Sequence, residues 1–592
     1  MPPSAVKTTL VVGIDFGTTF SGVSWLTCKA GSAAGQPEVI SLWETATDNI
    51  KDNSDSKKVP SKLYNDKDGK LWWGFNIPAG VETIDWFKLL LLNAEDLQNH
   101  LQDSAHLNDA RKSLQKLQKS AVQLVGEYLK NLWDYSMEQI CNEKGANLVD
   151  RMRFHVVLSV PAIWTDYARD RMRTAAAIAG ILKDRGKWVG KTTLSFVSEP
   201  EAAAIATMPE LEDRTDLQTG DSFVVVDAGG GTVDVISYKV NKLEPLSVSE
   251  CVEGEGALCG GTFLDKEFES FLKDAIGKAS WNKMNKSDIR RMMNNEWEHG
   301  IKGAFKGQPG YYTVELPSRT QRAPLQFSSS WRSEEIQPVF DKVVSQIGEL
   351  AKKQIDAIKA KTSRLPKLVI LVGGFGRSPY LLKYMRGHLG NRITVLQARG
   401  DKPWTAICRG AALSGAAELG PADGGHQLLV QSRIARSNYG WSFVAPYVKG
   451  VHDPRDKYWN EVRRGWYAKN QMEWVIKRGE DISLKGSKTY PYNIDWEAGV
   501  QGHQLLAHNI FTSNDLNPPS RMQDHVRKVA SINYRTSKPV EETEMVYDWE
   551  TSVSYRTWLH EWKVVVSGAS FDISLVAEGK EEKLDKIFIN TF

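Results

Sequence analysis

The stretch Leu10–Trp25, LVVGIDFGTTFSGVSW, and the stretch Phe223–Tyr238, FVVVDAGGGTVDVISY, share one pattern and decide the fold. Each begins with an apolar run that ends in an aspartate, continues through a glycine turn that contains threonine, and finishes in a second alternating run. Two such runs joined by a short glycine turn predict a β-hairpin. The repetition of the hairpin predicts two similar domains that face each other.

The two turns have the composition of a phosphate cradle. Glycine has no side chain, so backbone N–H groups can approach an anion closely, and threonine hydroxyls beside them add further donors. The glycines and threonines concerned are Gly17, Thr18 and Thr19 in the first turn and Gly229, Gly230, Gly231 and Thr232 in the second.

Three acids accompany these turns, namely Asp15, Asp227 and Asp234. A carboxylate repels phosphate, so acids here make sense when Mg²⁺ lies between, because Mg²⁺ keeps several waters and is commonly held by one or two carboxylates and phosphate oxygens. We therefore expect Asp15 and Asp227 to be the two halves of a clamp that holds Mg²⁺ through water. The alternative is a pair of ordinary glycine turns with capping acids.

Composition limits the function classes. The 592 residues are too many for one core and predict several domains. The 75 Lys and Arg nearly balance the 72 Asp and Glu, which does not favour nucleic acid or a membrane surface as partner. The N-terminal residues show no apolar run of signal-peptide length, and five scattered cysteines fit reduced thiols. We expect a cytoplasmic protein.

Five ordered motifs between about residues 9 and 425 resemble the nucleotide-binding domain of the actin, sugar-kinase and heat-shock-70 superfamily, and within it the heat-shock-70 chaperones. They are GIDFGTTFSGVS, SVPAIWTDYARDRMRTAAAIAG, SEPEAAAIA, VVDAGGGTVDV and LVGGFGRSPYL. The resemblance implies an α/β, two-lobed actin-like ATPase fold with ribonuclease-H-like duplicated lobes. It also implies that ATP or ADP binds with Mg²⁺.

The resemblance further implies roles for single residues. Lys88, in TIDWFKLLL, looks like the family's catalytic lysine, although its spacing also fits a solvated lysine on an amphipathic helix. Glu199 would hold a metal-bound water, and Asp234 would help to place the attacking water. Thr18, Thr19 and Thr232 would contact the β- and γ-phosphates. The glycine pair Gly260 and Gly261 would also lie near the phosphates.

The adenosine end of the site is implied by a second glycine turn. Gly373, Gly374 and Arg377 fit a turn with a cation over a purine or ribose. Glu298 and Lys302 are four residues apart on a predicted helix, so they could reach the ribose together or form a surface ion pair. Two residues depart from the family pattern and bear on nucleotide choice, Phe375 and Trp404.

The domains follow from these motifs. We expect lobe I at residues 1–205, completed by 400–425, lobe II at 206–399, and a β-rich, atypical C-terminal domain at 426–592 without the family's peptide-binding domain and long helical lid. GPADGG (420–425) reads as a linker, and KDNSDSKK (51–58) as a solvated loop. Eight tryptophans lie beyond residue 440, and we expect most of them in a core.

The expected function is an ATP-binding, slowly hydrolysing conformational switch of heat-shock-70 type, chaperone-like or scaffolding, with a protein partner at the C-terminal domain. Two alternatives keep the same hairpins: a nucleotide-binding pseudo-ATPase, and an actin-like assembly protein. A small-molecule kinase of the same fold is a further alternative, against which Lys88 and the SEPEAAAIA motif argue.

Overall fold

A computed structural model describes the chain in two compact units, Met1–Leu429 and Val430–Phe592. The residues described are 8–588 except 30–34, 46–55, 79, 98–104, 163, 165, 187–188, 210–215, 245, 317–327, 420–428, 484–486 and 568–569. The predicted linker 420–425 and the predicted boundary at 425/426 lie outside the described residues.

The first sheet of the first unit is built on the hairpin that opens the chain. Strands β1 and β2 pair antiparallel through that hairpin, and β1, β7 and β8 run parallel, which gives the order β3-β2-β1-β7-β8 with β4 also on β2. The strands of this sheet are β1 (Thr8–Phe16), β2 (Phe20–Lys29), β3 (Glu38–Val39), β4 (Val59–Pro60), β7 (Arg153–Val160) and β8 (Thr193–Ser198). Between β4 and β7, β5 (Leu63–Asn65) and β6 (Leu71–Trp73) form a separate two-stranded sheet.

The second sheet repeats this topology around the second hairpin. Strands β9 and β10 pair antiparallel, while β9, β15 and β16 run parallel, and β11 and β12 pair with β10. The strands of this sheet are β9 (Ser222–Ala228), β10 (Val233–Lys242), β11 (Ser247–Glu250), β12 (Glu255–Ala257), β15 (Leu368–Val372) and β16 (Thr394–Gln397). Between β12 and β15, β13 (Tyr311–Glu315) and β14 (Ser328–Arg332) form a separate two-stranded sheet. Both predicted hairpins are present, and Asp15 and Asp227 are each the last residue but one of the first strand of their hairpin.

Helices cover these sheets, and their glycines allow close packing. A side chain at Gly13 on β1 would overlap the backbone of the helix Lys402–Glu418, and one at Gly410 of that helix would overlap Ala202. The α-helices are Ala105–Leu117, Ala121–Lys144, Ala146–Val149, Asp166–Ile178, Glu199–Thr207, Gly261–Ile276, Lys278–Trp281, Lys286–Met292, Lys302–Ala304, Ser333–Thr362, Pro379–Leu389 and Lys402–Glu418.

Shorter helical segments complete the list. A π-helix spans Met293–Ile301, and 3₁₀ segments span Gly74–Asn76, Phe87–Leu91, Ala94–Asp96, Pro454–Asp456 and Val540–Glu542. Within the described residues, no helix has both the length and the apolar character needed to cross a membrane.

The second unit is β-rich, as expected. One of its sheets has the order β19-β20-β18-β23-β24, another has β22-β26-β27-β28 with β25 on β26, and β17 pairs with β21. The strands are β17 (Leu429–Ile434), β18 (Asn438–Pro446), β19 (Lys457–Asn460), β20 (Gly465–Ile476), β21 (Asp481–Ser483), β22 (Ser487–Glu497), β23 (Leu505–Ser513), β24 (Arg527–Arg535), β25 (Glu544–Asp548), β26 (Val553–Ser567), β27 (Ser570–Ala577) and β28 (Lys580–Phe588).

The tryptophans of this unit divide between core and surface. Trp441, Trp558 and Trp562 are buried together between aliphatic residues of both sheets. Three others, Trp459, Trp466 and Trp549, are exposed, and the remaining two are half-buried. The expectation that most of the eight belong to a core was therefore wrong.

Candidate nucleotide-binding site

The structure brings the two glycine turns into direct contact. A side chain at Gly230 would overlap Thr19, and one at Gly231 would lie 3.0 Å from the Thr18 hydroxyl oxygen. Gly17 is equally constrained, because a side chain there would overlap the carbonyl oxygen of Phe20. The close approach of the turns thus favours glycine at Gly230 and Gly231, whereas Gly17 is required by the backbone of its own turn.

The glycine pair that follows β12 packs on the second turn. The Gly261 N–H donates to the Gly229 carbonyl at 3.0 Å, and the Thr262 N–H donates to the Gly230 carbonyl at 2.9 Å. A side chain at Gly260 would lie 2.5 Å from that same Gly230 oxygen. The pair Gly260 and Gly261 therefore lies at the turn where the sequence places it.

Four carboxylates are buried around the turns, on Asp15, Glu199, Asp227 and Asp234. Asp227 and Asp234 face each other across the β9–β10 hairpin. Burial raises the pKa of Asp227 well above its usual value, and the nearby negative charges of Glu199 and Asp234 add to the effect. Burial and the charge of Glu199 raise the pKa of Asp234 to about 7. Clustered carboxylates with raised pKa values are typical of functional sites.

Lys88 is buried beside these carboxylates. It lies in the 3₁₀ segment Phe87–Leu91, and its Nζ donates to Glu199 Oε1 at 2.6 Å. Its ammonium also lies 5.3 Å from the ring centroid of Trp164. The alternative of a solvated lysine on an amphipathic helix is wrong, because the side chain points inward from a 3₁₀ turn.

A second buried lysine, Lys58, pairs with Asp15. The prediction that residues 51–58 form a solvated loop is wrong for Lys58, and residues 51–55 of that loop lie outside the described residues. Its strand neighbour Val59 pairs with Ser21 of β2, and that pairing turns the lysine inward. The local sequence KDNSDSKK does not predict the burial of Lys58, because the strand with which this segment pairs is more than thirty residues earlier in the chain.

The carboxylate of Asp227 is available to hold the waters of a hydrated cation. Asp227 Oδ1 is buried and has no hydrogen-bond partner among the described residues. Asp234 is also buried, and hydrogen bonding from the Ala162 backbone and the Thr232 side chain favours its charged form. Asp15 differs, because its Oδ2 accepts from Lys58 and its Oδ1 accepts from Ser159 at 3.4 Å. Within the described part of the chain, no three Asp, Glu, His or Cys side chains form a direct metal cluster.

The predicted pair Glu298 and Lys302 adjoins the phosphate turns. Lys302 Nζ lies 2.7 Å from carboxylate oxygens of both Glu298 and Asp265, which together raise its pKa to about 12 against the effect of burial. A side chain at Gly261 would lie 3.5 Å from that Nζ. Glu298 belongs to a π-helix, a form that is frequent at functional sites.

The last glycine turn lies against the second hairpin. Gly373 has φ +88°, and a side chain there would overlap Asp227 Oδ1 and lie 2.5 Å from the Ala228 carbonyl oxygen. Gly374 is in ordinary contact range of the Trp404 ring. Phe375, a departure from the family pattern, is buried in the apolar core of the second sheet.

Arg377 lies at the exposed edge of this turn. Its guanidinium is 4.5 Å from the ring centroid of Trp404, and its Nη1 donates to Asp401 at 3.2 Å. Trp404 also meets Phe20 of β2 edge to face, with centroids 5.6 Å apart. The second departure from the family pattern, Trp404, thus joins the first hairpin to the glycine turn that carries Arg377.

Comparison with known proteins decides the family. Residues 102–430, more than half of the chain, match the family model described as Hsp70 protein. The chain belongs to the Hsp70 family. Its two-lobed actin-like ATPase fold and its β-rich C-terminal region follow the expectation from sequence, and it is an ATP-binding Hsp70-like protein. Residues 433–569 match a model described only as a domain of unknown function.

Relatives in this Hsp70 family include two human proteins that align with most of the chain. Human heat shock 70 kDa protein 12B is 23% identical over 81% of this chain and 78% of its own length. Human heat shock 70 kDa protein 12A is 21% identical over 75% of this chain and 74% of its own. The chaperone protein DnaK of Thermoplasma volcanium is 26% identical, but over only 44% of this chain and 39% of its own.

Proposed function

We propose that this protein is a slowly hydrolysing ATP-dependent switch of Hsp70 type that binds ATP or ADP with Mg²⁺. The observation that carries the proposal is the convergence of buried carboxylates and lysines on two touching glycine turns. Buried charge is costly and is retained where a protein needs it. A site that must neutralise and position phosphate has that need.

The proposed chemistry assigns each group a task. When bound, Mg²⁺ would neutralise phosphate charge, and Asp227 would hold its waters, with Asp15 as the predicted second carboxylate. Lys88, oriented by Glu199, would stabilise the negative charge of the transferring phosphoryl group. Asp234 would orient the attacking water, because its buried carboxylate belongs to the residue opposite Asp227 in the second hairpin.

Different turns would hold the phosphates, the ribose and the base of the nucleotide. Thr18, Thr19 and Thr232 would donate to the β- and γ-phosphates, and Gly260 and Gly261 would line the same path. At the other end Lys302 and Glu298 would reach the ribose, and Arg377 would cover the base together with Trp404.

The C-terminal unit would carry the partner or client, as a chaperone or as a scaffold. Its exposed aromatic residues support that role, because aromatic side chains dominate binding surfaces. Trp459 and Trp466 are both exposed and pack edge to face with centroids 5.3 Å apart. We further propose a cytoplasmic location, which the five free cysteines support.

A second candidate is a nucleotide sensor that binds without turnover. The pairing of Asp15 with Lys58 favours it, because that carboxylate is one of the two predicted to hold the waters of Mg²⁺. The sensor would keep the nucleotide-dependent change of conformation, and it would lose the timing that hydrolysis provides.

Single-turnover hydrolysis distinguishes the two candidates. Radiolabelled ATP is mixed with excess full-length protein and Mg²⁺, and phosphate release is followed for wild type and for Asp234→Asn. The switch predicts slow release that the variant abolishes while ATP remains bound. Bound ATP that both proteins leave intact would support the sensor, and a failure to bind ATP would refute both candidates.

A further inference from the structure

The segment that contains Lys58 is held to the first phosphate turn by several hydrogen bonds. Within the segment that follows it, the Ser61 N–H donates to the Thr19 carbonyl at 2.8 Å, and the Ser61 hydroxyl donates to the Gly17 carbonyl at 2.7 Å. The buried Tyr128 hydroxyl donates to the Pro60 carbonyl at 3.1 Å. The position of Lys58 relative to the turn is therefore set by the backbone that follows it.

The fold reserves space for the lysine stem. Lys58 is only 4% exposed. A side chain at Gly22 would lie 3.0 Å from Lys58 Cγ and 3.2 Å from its Cε, and 3.4 Å from the sulfur of Cys408. Glycine at this point of β2 and the helix Lys402–Glu418 together form a slot that the four methylene groups fill.

The ammonium at the end of the slot faces several acids. Burial opposes the charge of this ammonium, but the charge of Asp15 and the hydrogen bond to its Oδ2 outweigh burial, so the pKa of Lys58 is raised. Its positive charge also acts on Glu199. Lys58 and Lys88 thus offset two of the four buried carboxylates, and Asp15 is the one that Lys58 neutralises directly.

We propose that Lys58 supplies to Asp15 the positive charge that a hydrated divalent cation would otherwise supply, so that this protein binds adenine nucleotide without requiring Mg²⁺. The inference rests on the proposed nucleotide site. Phosphate approaching an uncompensated buried carboxylate is repelled, and a cation that is part of the protein removes this repulsion before any metal arrives. Mg²⁺ would still serve the chemical step from the Asp227 side.

The test is calorimetric titration of ADP into the full chain, in excess Mg²⁺ and in excess EDTA. We expect the Kd of the wild type to change by less than about threefold between the two conditions. Lys58→Met should bind normally in Mg²⁺ but at least about tenfold more weakly in EDTA. Lys62→Met, which removes an exposed lysine four residues further along the chain, is the matched control and should behave as wild type.

Two results would overturn the inference while leaving the proposed function intact. One is a wild type that binds ADP in Mg²⁺ but at least about tenfold more weakly in EDTA. The other is a Lys58→Met protein whose binding is as insensitive to EDTA as that of the wild type. A wild type that binds ADP under neither condition would refute both the inference and the proposed function.

Lys58→Met leaves Asp15 buried without its cation, which destabilises the fold. The double variant Asp15→Asn/Lys58→Met removes both charges of the pair. Circular dichroism first compares its fold with that of the wild type, before binding is measured. This variant should bind ADP in EDTA as the wild type does, since no bare carboxylate faces the phosphate. Dependence of its binding on Mg²⁺ would contradict the role given to the pair.

Discussion

Lys88 Nζ donates to Glu199 Oε1 at 2.6 Å, and both side chains are almost fully buried. The two residues are 111 positions apart in the chain. The pair joins a 3₁₀ turn to the first residue of the helix Glu199–Thr207. Because each charge is buried, each depends on the other, and the pair also sets where the lysine can point.

The first prediction concerns this pair. Lys88→Met should lower the free energy of unfolding by about 3–5 kcal/mol, because Glu199 is left as an uncompensated buried charge. The double variant Lys88→Met/Glu199→Gln should recover most of that loss, as measured by urea denaturation. Equal destabilisation in both variants would show that packing, and not charge, is what the lysine provides.

The second prediction concerns turnover. The same double variant, once shown to be folded, should hydrolyse ATP at least about 100-fold more slowly than wild type, as expected for the loss of a group that stabilises transition-state charge. Lys62→Met serves as the control for loss of a lysine. Phosphate release at the wild-type rate from the double variant would show that Lys88 does not contribute to hydrolysis.

The third prediction concerns Gly373. Gly373→Ala should abolish nucleotide binding, because φ is +88° and the added methyl group overlaps Asp227 Oδ1. Gly387→Ala is the matched control, since it lies in the helix Pro379–Leu389 with open space around it, and it should stabilise the protein by roughly 0.5–1 kcal/mol. Calorimetry with ADP and thermal unfolding measure the two effects. Normal ADP binding by Gly373→Ala would show that this turn is not part of the nucleotide-binding site.

The fourth prediction concerns Arg377. Its guanidinium over Trp404 would cover the base, so Arg377→Ala should weaken ADP binding by about 3- to 30-fold, in line with a cation–π contact of partly exposed groups. Exposed Arg392→Ala is the control for loss of a surface charge. Inorganic triphosphate, which has no base, should compete equally well in both variants. Equal losses for ADP and triphosphate would place Arg377 at the phosphates instead.

The fifth prediction concerns pH and the C-terminal unit. Burial lowers the pKa of His508 to about 3, to which the neighbouring His560 also contributes, and burial lowers the pKa of His560 to about 4. Both rings stack on buried tryptophans, with centroids 4.4 Å and 4.3 Å apart. The unfolded chain takes up protons near pH 6.5 and the folded unit does not, so stability is present above that pH and falls as the pH drops towards 4.

Urea denaturation between pH 7 and pH 4.5, followed by tryptophan fluorescence, measures this loss. Each histidine should contribute a slope of at most about 1.4 kcal/mol per pH unit. His508→Phe should make the slope shallower, whereas exposed His503→Gln should leave it as in wild type. A His508→Phe protein with the wild-type slope would mean that this ring titrates equally in both states.

The hairpins and the phosphate turns could be predicted because their signals are local. Period-two alternation, an aspartate and a glycine turn lie within sixteen residues, and the residues between them set the geometry. Lys58 could not be predicted in this way, because its burial follows from the pairing of β4 with β2. The π-helix that carries Glu298 was not predicted either. Its Trp297 stacks on Phe268 of the helix Gly261–Ile276 with ring centroids 3.8 Å apart, a contact between segments that no local pattern shows.

The tryptophans of the second unit show a different limit of the sequence. Trp441 and Trp459 both lie on strands, yet the first is buried and the second is exposed. A strand with alternating residues has an inner and an outer face, and which is which depends on the partner sheet. Sequence could indicate the strands, but not the face that a distant partner would cover.

The central claim is that this protein binds adenine nucleotide at the paired glycine turns, and calorimetric titration of ADP with Mg²⁺ tests it most directly. The account predicts one ADP bound per chain for the wild type and none for Gly230→Val, whose side chain would force Thr19 and the two turns apart. Circular dichroism would confirm that the variant is folded. Undiminished binding by the folded variant, or no binding by the wild type, would contradict the claim.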